Sequence, residues 1–212
     1  MTGRGRFITL EGSEGSGKTT AARHLADWIR GRGEEVVLTA EPGGTPLGEE
    51  VRRLVLHMRN VSDDLDVRAD ALLYAAARAQ HTARLILPAL ARGQHVVCAR
   101  YLDSSLAYQG AGYGNDPDAM RWLQRFATYD TLPDLTILID VPVEIGLGRK
   151  RRGEWNRFED TLAVEFFEKV RSAYLDLAAA EPERFRVVDG SGSVKQTDGL
   201  VRAAVEALLR SG

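Results

Sequence analysis

Five short apolar runs punctuate the chain, at Phe7 to Leu10, Val36 to Thr39, Val96 to Ala99, Leu135 to Asp140 and Phe185 to Asp189. Their apolar residues are consecutive rather than alternating, which is how a strand buried on both faces reads. The longer segments between them switch to helical spacing. Ala22, Leu25, Ala26 and Ile29 fall on one helix face, as do Val51, Leu54 and Val55. Strand and helix therefore alternate, which predicts an α/β fold: a five-stranded parallel sheet with helices on both faces and ligands at the carboxyl ends of the strands. The alanine- and leucine-rich stretch from Ala69 to Ala91 predicts one or two long helices crossing the molecule, mostly as core. Two segments read as irregular, the glycine-rich Gly110 to Pro117 and the basic Lys150 to Asn156. Loops beyond strand ends are where substrate loops and lids are found.

Composition narrows this pattern without changing it. At 212 residues and 23.3 kDa, with 44% hydrophobic and 27% charged residues, the chain is sized for one core, so residues 1–212 read as a single domain. No linker or repeat interrupts it. The net charge of -2 and a pI near 6.1 argue against a general nucleic-acid binder, so an anionic ligand must be held locally. Cys98 is the single cysteine, which excludes an internal disulfide, and the four histidines lack metal-ligand spacing. No run of ~18 apolar residues occurs and the N-terminus lacks a signal-peptide core, so a cytoplasmic protein with no membrane span is expected.

The strongest chemical signal is Gly12-Ser13-Glu14-Gly15-Ser16-Gly17-Lys18-Thr19, which fits G-x-x-x-x-G-K-[ST] between a predicted strand and a predicted helix. Glycines let successive backbone N-H groups turn toward phosphate oxygens, and the helix N-terminus adds partial positive charge. This predicts that residues 12–19, with the adjoining Thr20, bind the phosphates of ATP. Lys18 would reach the β and γ phosphates as a catalytic cation, and the Thr19 hydroxyl would ligate Mg2+. By itself the motif leaves GTPases, ATPases and kinases open.

Further phrases narrow the choice: Glu41-Pro42-Gly43-Gly44-Thr45, Tyr74-Ala75-Ala76-Ala77-Arg78-Ala79-Gln80, Ala99-Arg100-Tyr101, Ser104 to Gly110, Pro133-Asp134-Leu135-Thr136 and Arg157-Phe158-Glu159. Together they resemble the thymidylate kinase family from Phe7 to the C-terminal helix. No N-K-x-D guanine motif is present, which disfavours a GTPase. The resemblance implies phosphorylation of dTMP by ATP and Mg2+, in a homodimer. Holding two polyanions end to end requires several arginines. The resemblance places Arg52 and Arg100 on the acceptor phosphate and Arg78 on a thymine carbonyl. It stacks Tyr74 on the base, with Ser105, Tyr108 and Gln109 completing the dTMP site. It also implies a small lid at about 148–158, where Arg149 and Arg152 are the candidates for the transition-state cation and Arg157 would steady the lid.

Two positions depart from the family pattern. Ala99 stands where an aspartate usually precedes the arginine, which turns attention to Glu11 as the carboxylate nearest the metal. Asn156 replaces a common aspartate before Arg157. The loss at position 99 keeps two alternatives open: a nucleotide-binding homologue with impaired catalysis, and a kinase for another deoxynucleotide or deoxynucleoside. Asp140, at the end of an apolar run, reads as structural as readily as catalytic.

Overall fold

A computed structural model describes residues 4–57, 65–150 and 164–210 of the chain. The five apolar runs form strands β1 (Phe7–Glu11), β2 (Val36–Ala40), β3 (His95–Ala99), β4 (Leu135–Asp140) and β5 (Phe185–Asp189). They pair in parallel in the order β2-β3-β1-β4-β5, with Phe7 beside Val96, Ile8 beside Leu135 and Thr136 beside Phe185. The α/β reading is therefore confirmed, with strand bounds within one residue of those expected. β1 lies in the middle of the sheet, so the loop that follows it opens at the sheet's centre.

Successive residues of each strand serve opposite faces. Ile8, Leu10, Val97, Ile137 and Ile139 pack with Leu25 and Ile29 of α1 (Lys18–Arg30) and with Val201 and Val205 of the C-terminal helix Val194–Arg210. On the other face Phe7, Val96 and Cys98 meet Ile86 and Leu90, and Leu138 meets Phe167, Val170 and Tyr174 of helix Val164–Ala180. Each fully buried Leu or Ile contributes roughly 1.5–3 kcal/mol, so truncating Ile137, which is fully buried in the cluster with Leu25 and Val201, would cost about 2–5 kcal/mol.

Helices α2 (Pro46–His57) and α3 (Val67–His81) pack together above the ends of β2 and β3. Asp66 caps α3, its carboxylate accepting from the amides of Arg68 and Ala69. The Ala69 to Ala91 stretch proves to be one rod. α3 runs through a π-helical turn, Thr82–Ile86, into α4 (Leu87–Ala91). The wider turn lies just ahead of Pro88, which has no N-H to give and whose ring would crowd the preceding turn of a regular helix. A second π turn, Leu106–Gly112, follows α5 (Leu102–Ser105) and leads to α6 (Pro117–Thr128). It takes up the start of the segment expected to be irregular from Gly110.

Among the described residues the remaining helices are α7 (Val143–Lys150), α8 (Val164–Ala180) and α9 (Val194–Arg210). The basic segment expected to begin as a loop at Lys150 instead starts inside α7. Of the lid expected at about 148–158, residues 148–150 close this helix; Arg152, Asn156 and Arg157 lie outside the described residues. Among the described residues no helix is long and apolar enough to cross a membrane.

Candidate nucleotide site

β1 ends at Glu11 and the chain turns at once into the phosphate loop, which Gly17 closes at φ 90° as the residue before α1. Gly15, at φ 69°, lies so close to α7 that a Cβ would come within 1.9 Å of the carbonyl oxygen of Gly146. Two facing glycines thus seat α7 directly on the loop. Lys18 is buried, and its Nζ folds back to the Ser13 carbonyl at 2.8 Å and the Ser16 hydroxyl at 3.4 Å, so its ammonium is held over the loop.

A cavity of about 430 Å3 opens beside this loop. Glu14, Gly15, Gly17, Lys18, Thr19 and Thr20 line it from the phosphate loop, and Arg149 from α7. Arg52, Tyr74, Arg78, Arg100, Ser105, Tyr108 and Gln109 line the same cavity from α2, α3 and the segment after β3. Every residue expected on the acceptor side therefore borders one space with Lys18 and Thr19. Gly12, Ser13 and Ser16 do not border it. Ser16 faces a neighbouring cavity of about 280 Å3, which Arg149 and Thr20 share with the first and which the 190–198 segment closes.

Arg100 adopts φ 71°, an unusual conformation for a residue with a side chain, and such backbone strain concentrates at functional sites. Its amide donates to the Leu10 carbonyl at 3.0 Å. Its guanidinium pairs with the Glu14 carboxylate, donates to Ser104 Oγ at 3.4 Å, and sits 4.9 Å from the centre of the Tyr108 ring. Arg52 is anchored by a 3.0 Å bond from Nη1 to the Pro42 carbonyl.

Arg78 is the most enclosed of the arginines among the described residues, 1% exposed. Its Nε donates to Glu41 Oε2 at 2.7 Å, Nη1 to Ser105 Oγ at 2.8 Å and to Gln124 Oε1, and Nη2 to the Tyr101 carbonyl at 2.9 Å. Four of its five N-H groups are thus spent inside the protein, which leaves one on Nη2 in a residue that lines the cavity. Ser105 is correspondingly engaged by Arg78, and the Gln109 amide nitrogen donates to Asp70 at 2.9 Å. Tyr74 is partly buried and packs on Val51, Val55 and Ala77, leaving part of its ring at the cavity.

Two expectations need correction. Glu11 does not border the cavity. It is fully buried, with Oε1 accepting from the Tyr101 amide at 2.6 Å and Oε2 from Ser104 Oγ at 2.6 Å and Tyr174 Oη at 3.0 Å. Burial, with the nearby charge of Asp103, pushes its carboxyl up to about 7. It braces the chain around Arg100 and is not placed to ligate a metal. Arg149 is spent on the 190–192 segment, donating to the carbonyls of Gly190 (2.8 Å), Ser191 (3.0 Å) and Gly192 (3.2 Å), so it joins α7 to the loop after β5 instead of reaching across the cavity. Asp140, which the sequence left open between the two roles, is structural: its carboxylate accepts from Arg171 Nε at 2.7 Å and Nη2 at 2.8 Å.

Ala99 is buried at the end of β3 and faces a separate cavity of about 480 Å3, bordered also by Thr19, Thr20 and Arg52. Among the described residues no cluster of three or more His, Cys, Asp or Glu is placed to hold a metal ion. The Thr19 hydroxyl borders the cavity and fits Mg2+, which favours oxygen ligands and keeps several waters and substrate phosphates around it; the Glu14 and Glu41 carboxylates border the same cavity.

Sequence reasoning quoted Glu41 within the 41–45 phrase without giving it a role, and passed over His81 and Gln124. His81 follows Arg78 by three positions on one helix, hence on the same face, which is the signal that could have linked the two.

A phosphate loop sharing one cavity with three arginines at the carboxyl end of this strand order defines a P-loop kinase of the nucleoside monophosphate type. Residues 10–200 match the family model described as thymidylate kinase. Thymidylate kinase of Citrifermentans bemidjiense is 46% identical over 214 residues, covering 98% of this chain and 94% of the relative. That of Pseudomonas syringae pv. syringae is 48% identical over 206 residues, covering 97% and 95%. The crystal structure of thymidylate kinase from Ehrlichia chaffeensis superposes with a TM-score of 0.74 at 33% identity, covering 97% of this chain and 99% of that one. The chain belongs to the thymidylate kinase family.

Proposed function

We propose that the chain transfers the terminal phosphoryl group of ATP to dTMP, giving ADP and dTDP, with Mg2+ as the metal. The observation that carries this reading is the single cavity in which Lys18 and Thr19 share space with Arg52, Arg78 and Arg100. Phosphoryl transfer needs in-line placement and neutralised charge more than a strong base, and those residue types supply both. The donor phosphates lie on loop 12–19 with its amides and Lys18. The donor's nucleoside occupies the adjoining 280 Å3 cavity, and the acceptor phosphate meets Arg100 and Arg52. Tyr74 flanks the acceptor base while Arg78 offers it one N-H. The Thr19 hydroxyl would hold Mg2+, which would supply charge neutralisation at the donor phosphates.

The chain acts as one domain whose lid, at about 148–158, closes on ATP with Arg152 as its transition-state cation, in the cytoplasm. It works as a homodimer. Supporting the dimer, α2, α3 and α6 pack side by side and their outward faces expose Leu54, Leu72, Trp122 and Phe126, the last two stacked at 5.5 Å. The test of function is a coupled assay for ADP with each deoxynucleoside monophosphate, with and without Mg2+. Turnover highest on dTMP and abolished by Lys18→Met is expected; turnover on dCMP or on deoxynucleosides with none on dTMP would refute the reading.

A further inference from the structure

Arg78 is backed by a row of side chains: Glu41, just beyond β2, which borders the cavity beside it, then His81 at the end of α3 and Thr39 on β2. His81 is fully buried. Its Nδ1 lies 2.8 Å from Glu41 Oε1 and its Nε2 2.8 Å from Thr39 Oγ1. A carboxylate only accepts, so Nδ1 carries the proton and donates. The other carboxylate oxygen takes the Arg78 Nε bond at 2.7 Å. The chain from Thr39 to Arg78 is therefore continuous, and every member is at least nine-tenths buried.

The imidazole is also fenced by the 41–45 loop. Gly44 adopts φ 75°, and a Cβ there would come within 2.5 Å of His81 Nε2 and 2.7 Å of Thr39 Oγ1. Only glycine lets the loop close over the ring. His81 thus has one orientation, and through Glu41 it fixes a partner of the planar guanidinium, whose fork presents its donors in a rigid plane.

We propose that His81 is a positioning residue: by donating to Glu41 it sets the plane in which Arg78 directs its remaining Nη2 N-H at the acceptor nucleotide. It touches no substrate. This rests on reading the Arg78 wall of the cavity as the acceptor site. Glu41 can swing about its last torsion once His81 no longer holds it, and Arg78 then offers the same charge at a less favourable angle. Acceptor binding weakens while the phosphate loop, built on other residues, is unaffected.

Three substitutions separate the bonds. His81→Leu removes both. His81→Asn sets an amide nitrogen near the place of Nδ1 and keeps the bond to Glu41. His81→Gln reaches the place of Nε2 and keeps only the bond to Thr39. In steady-state assays varying dTMP and ATP separately, His81→Leu should raise KM for dTMP about tenfold, the scale of a bond to a charged group, with KM for ATP within about twofold. His81→Asn should return KM for dTMP to within about threefold of wild type, and His81→Gln should resemble His81→Leu. An unchanged KM for dTMP in His81→Leu, equal rescue by Gln and Asn, or parallel rises in both KM values with a lowered Tm would each overturn the proposal. Should His81→Leu not fold, the Asn and Gln pair decides alone. Wild-type protein that fails to turn over dTMP would sink the acceptor reading itself, before any variant is compared.

Discussion

The guanidinium of Arg100, at the end of β3, pairs with the carboxylate of Glu14 inside the phosphate loop. The two come from neighbouring strands, since β1 and β3 pair directly, and both residues border the cavity. The contact joins the donor side of the site to the acceptor side. It also gives Arg100 a carboxylate partner in a chain where Ala99 supplies none.

Removing that guanidinium should act on stability and on chemistry together. Arg100→Met should cost about 3 kcal/mol, because the pair is largely buried, and should lower kcat/KM for dTMP at least about 100-fold. Arg100→Lys keeps the charge without the fork and should lose about tenfold. In denaturant titrations the double variant Glu14→Gln with Arg100→Met should lose less than the sum of the two single changes, the mark of directly coupled residues. Strict additivity would show that the pair is incidental.

The strands and the phosphate loop were legible in the sequence because their signals are local. Runs such as Val96 to Ala99 are apolar on both faces, and the spacing of Gly12, Gly17, Lys18 and Thr19 is a backbone requirement. The acceptor-side residues were legible only as a set, through resemblance, and the cavity does gather Arg52, Tyr74, Arg78, Arg100, Ser105, Tyr108 and Gln109. What the sequence could not disclose is how donors and acceptors are consumed. Arg78 reads as a free cation but spends four N-H groups on Glu41, Ser105, Gln124 and Tyr101. Glu11 reads as a carboxylate beside a phosphate loop, yet strand alternation turns it away from the cavity toward Tyr101, Ser104 and Tyr174. The Arg78 pairings span 23 to 46 positions and those of Glu11 ninety or more, which no local pattern encodes.

Glu11 gives a pH signature. Its carboxyl rises from 4.5 to about 7 on folding, chiefly by burial. Between those values the folded chain keeps a proton that the unfolded chain has released, so this group's contribution is full below pH 4.5 and is lost as pH rises through 7. Glu11→Gln stays neutral at every pH, and its amide can donate to the Ser104 or Tyr174 oxygen while its carbonyl accepts from Tyr101. Relative to wild type, the variant should therefore gain stability from pH 5 to pH 8, by at most about 3 kcal/mol. Urea unfolding at both pH values measures this, and a gap between the two proteins that does not change with pH would disprove it.

In the homodimer proposed above, the exposed stack of Trp122 on Phe126 should be the most sensitive point. At 66% and 70% exposure these rings leave more apolar surface in water than isolated surface residues warrant, and they continue the outward faces of α2 and α3. Trp122→Glu should shift light-scattering mass from two chains to one and leave the far-UV spectrum unchanged. A wild-type protein that is monomeric at tens of micromolar would refute the dimer outright.

Ala99→Asp tests what the missing carboxylate does. The side chain at 99 faces the 480 Å3 cavity, where Thr19, Thr20 and Arg52 form part of the wall. An aspartate there has room, which removes the usual overpacking cost, and it has Arg52 nearby to offset its desolvation. Tm should therefore stay within a few degrees of wild type, about 1 kcal/mol or less. A carboxylate beside the Thr19 hydroxyl adds a hard oxygen where Mg2+ would sit, so the Mg2+ concentration for half-maximal turnover should fall several-fold while KM for ATP changes little. If that concentration does not move, the ion takes its ligands from phosphate and Thr19 alone, and an alanine at 99 costs this enzyme nothing in metal handling. If Tm drops sharply, the cavity is closed to a charge and Ala99 is there for packing against Leu10 and Ala22, with which it shares the core.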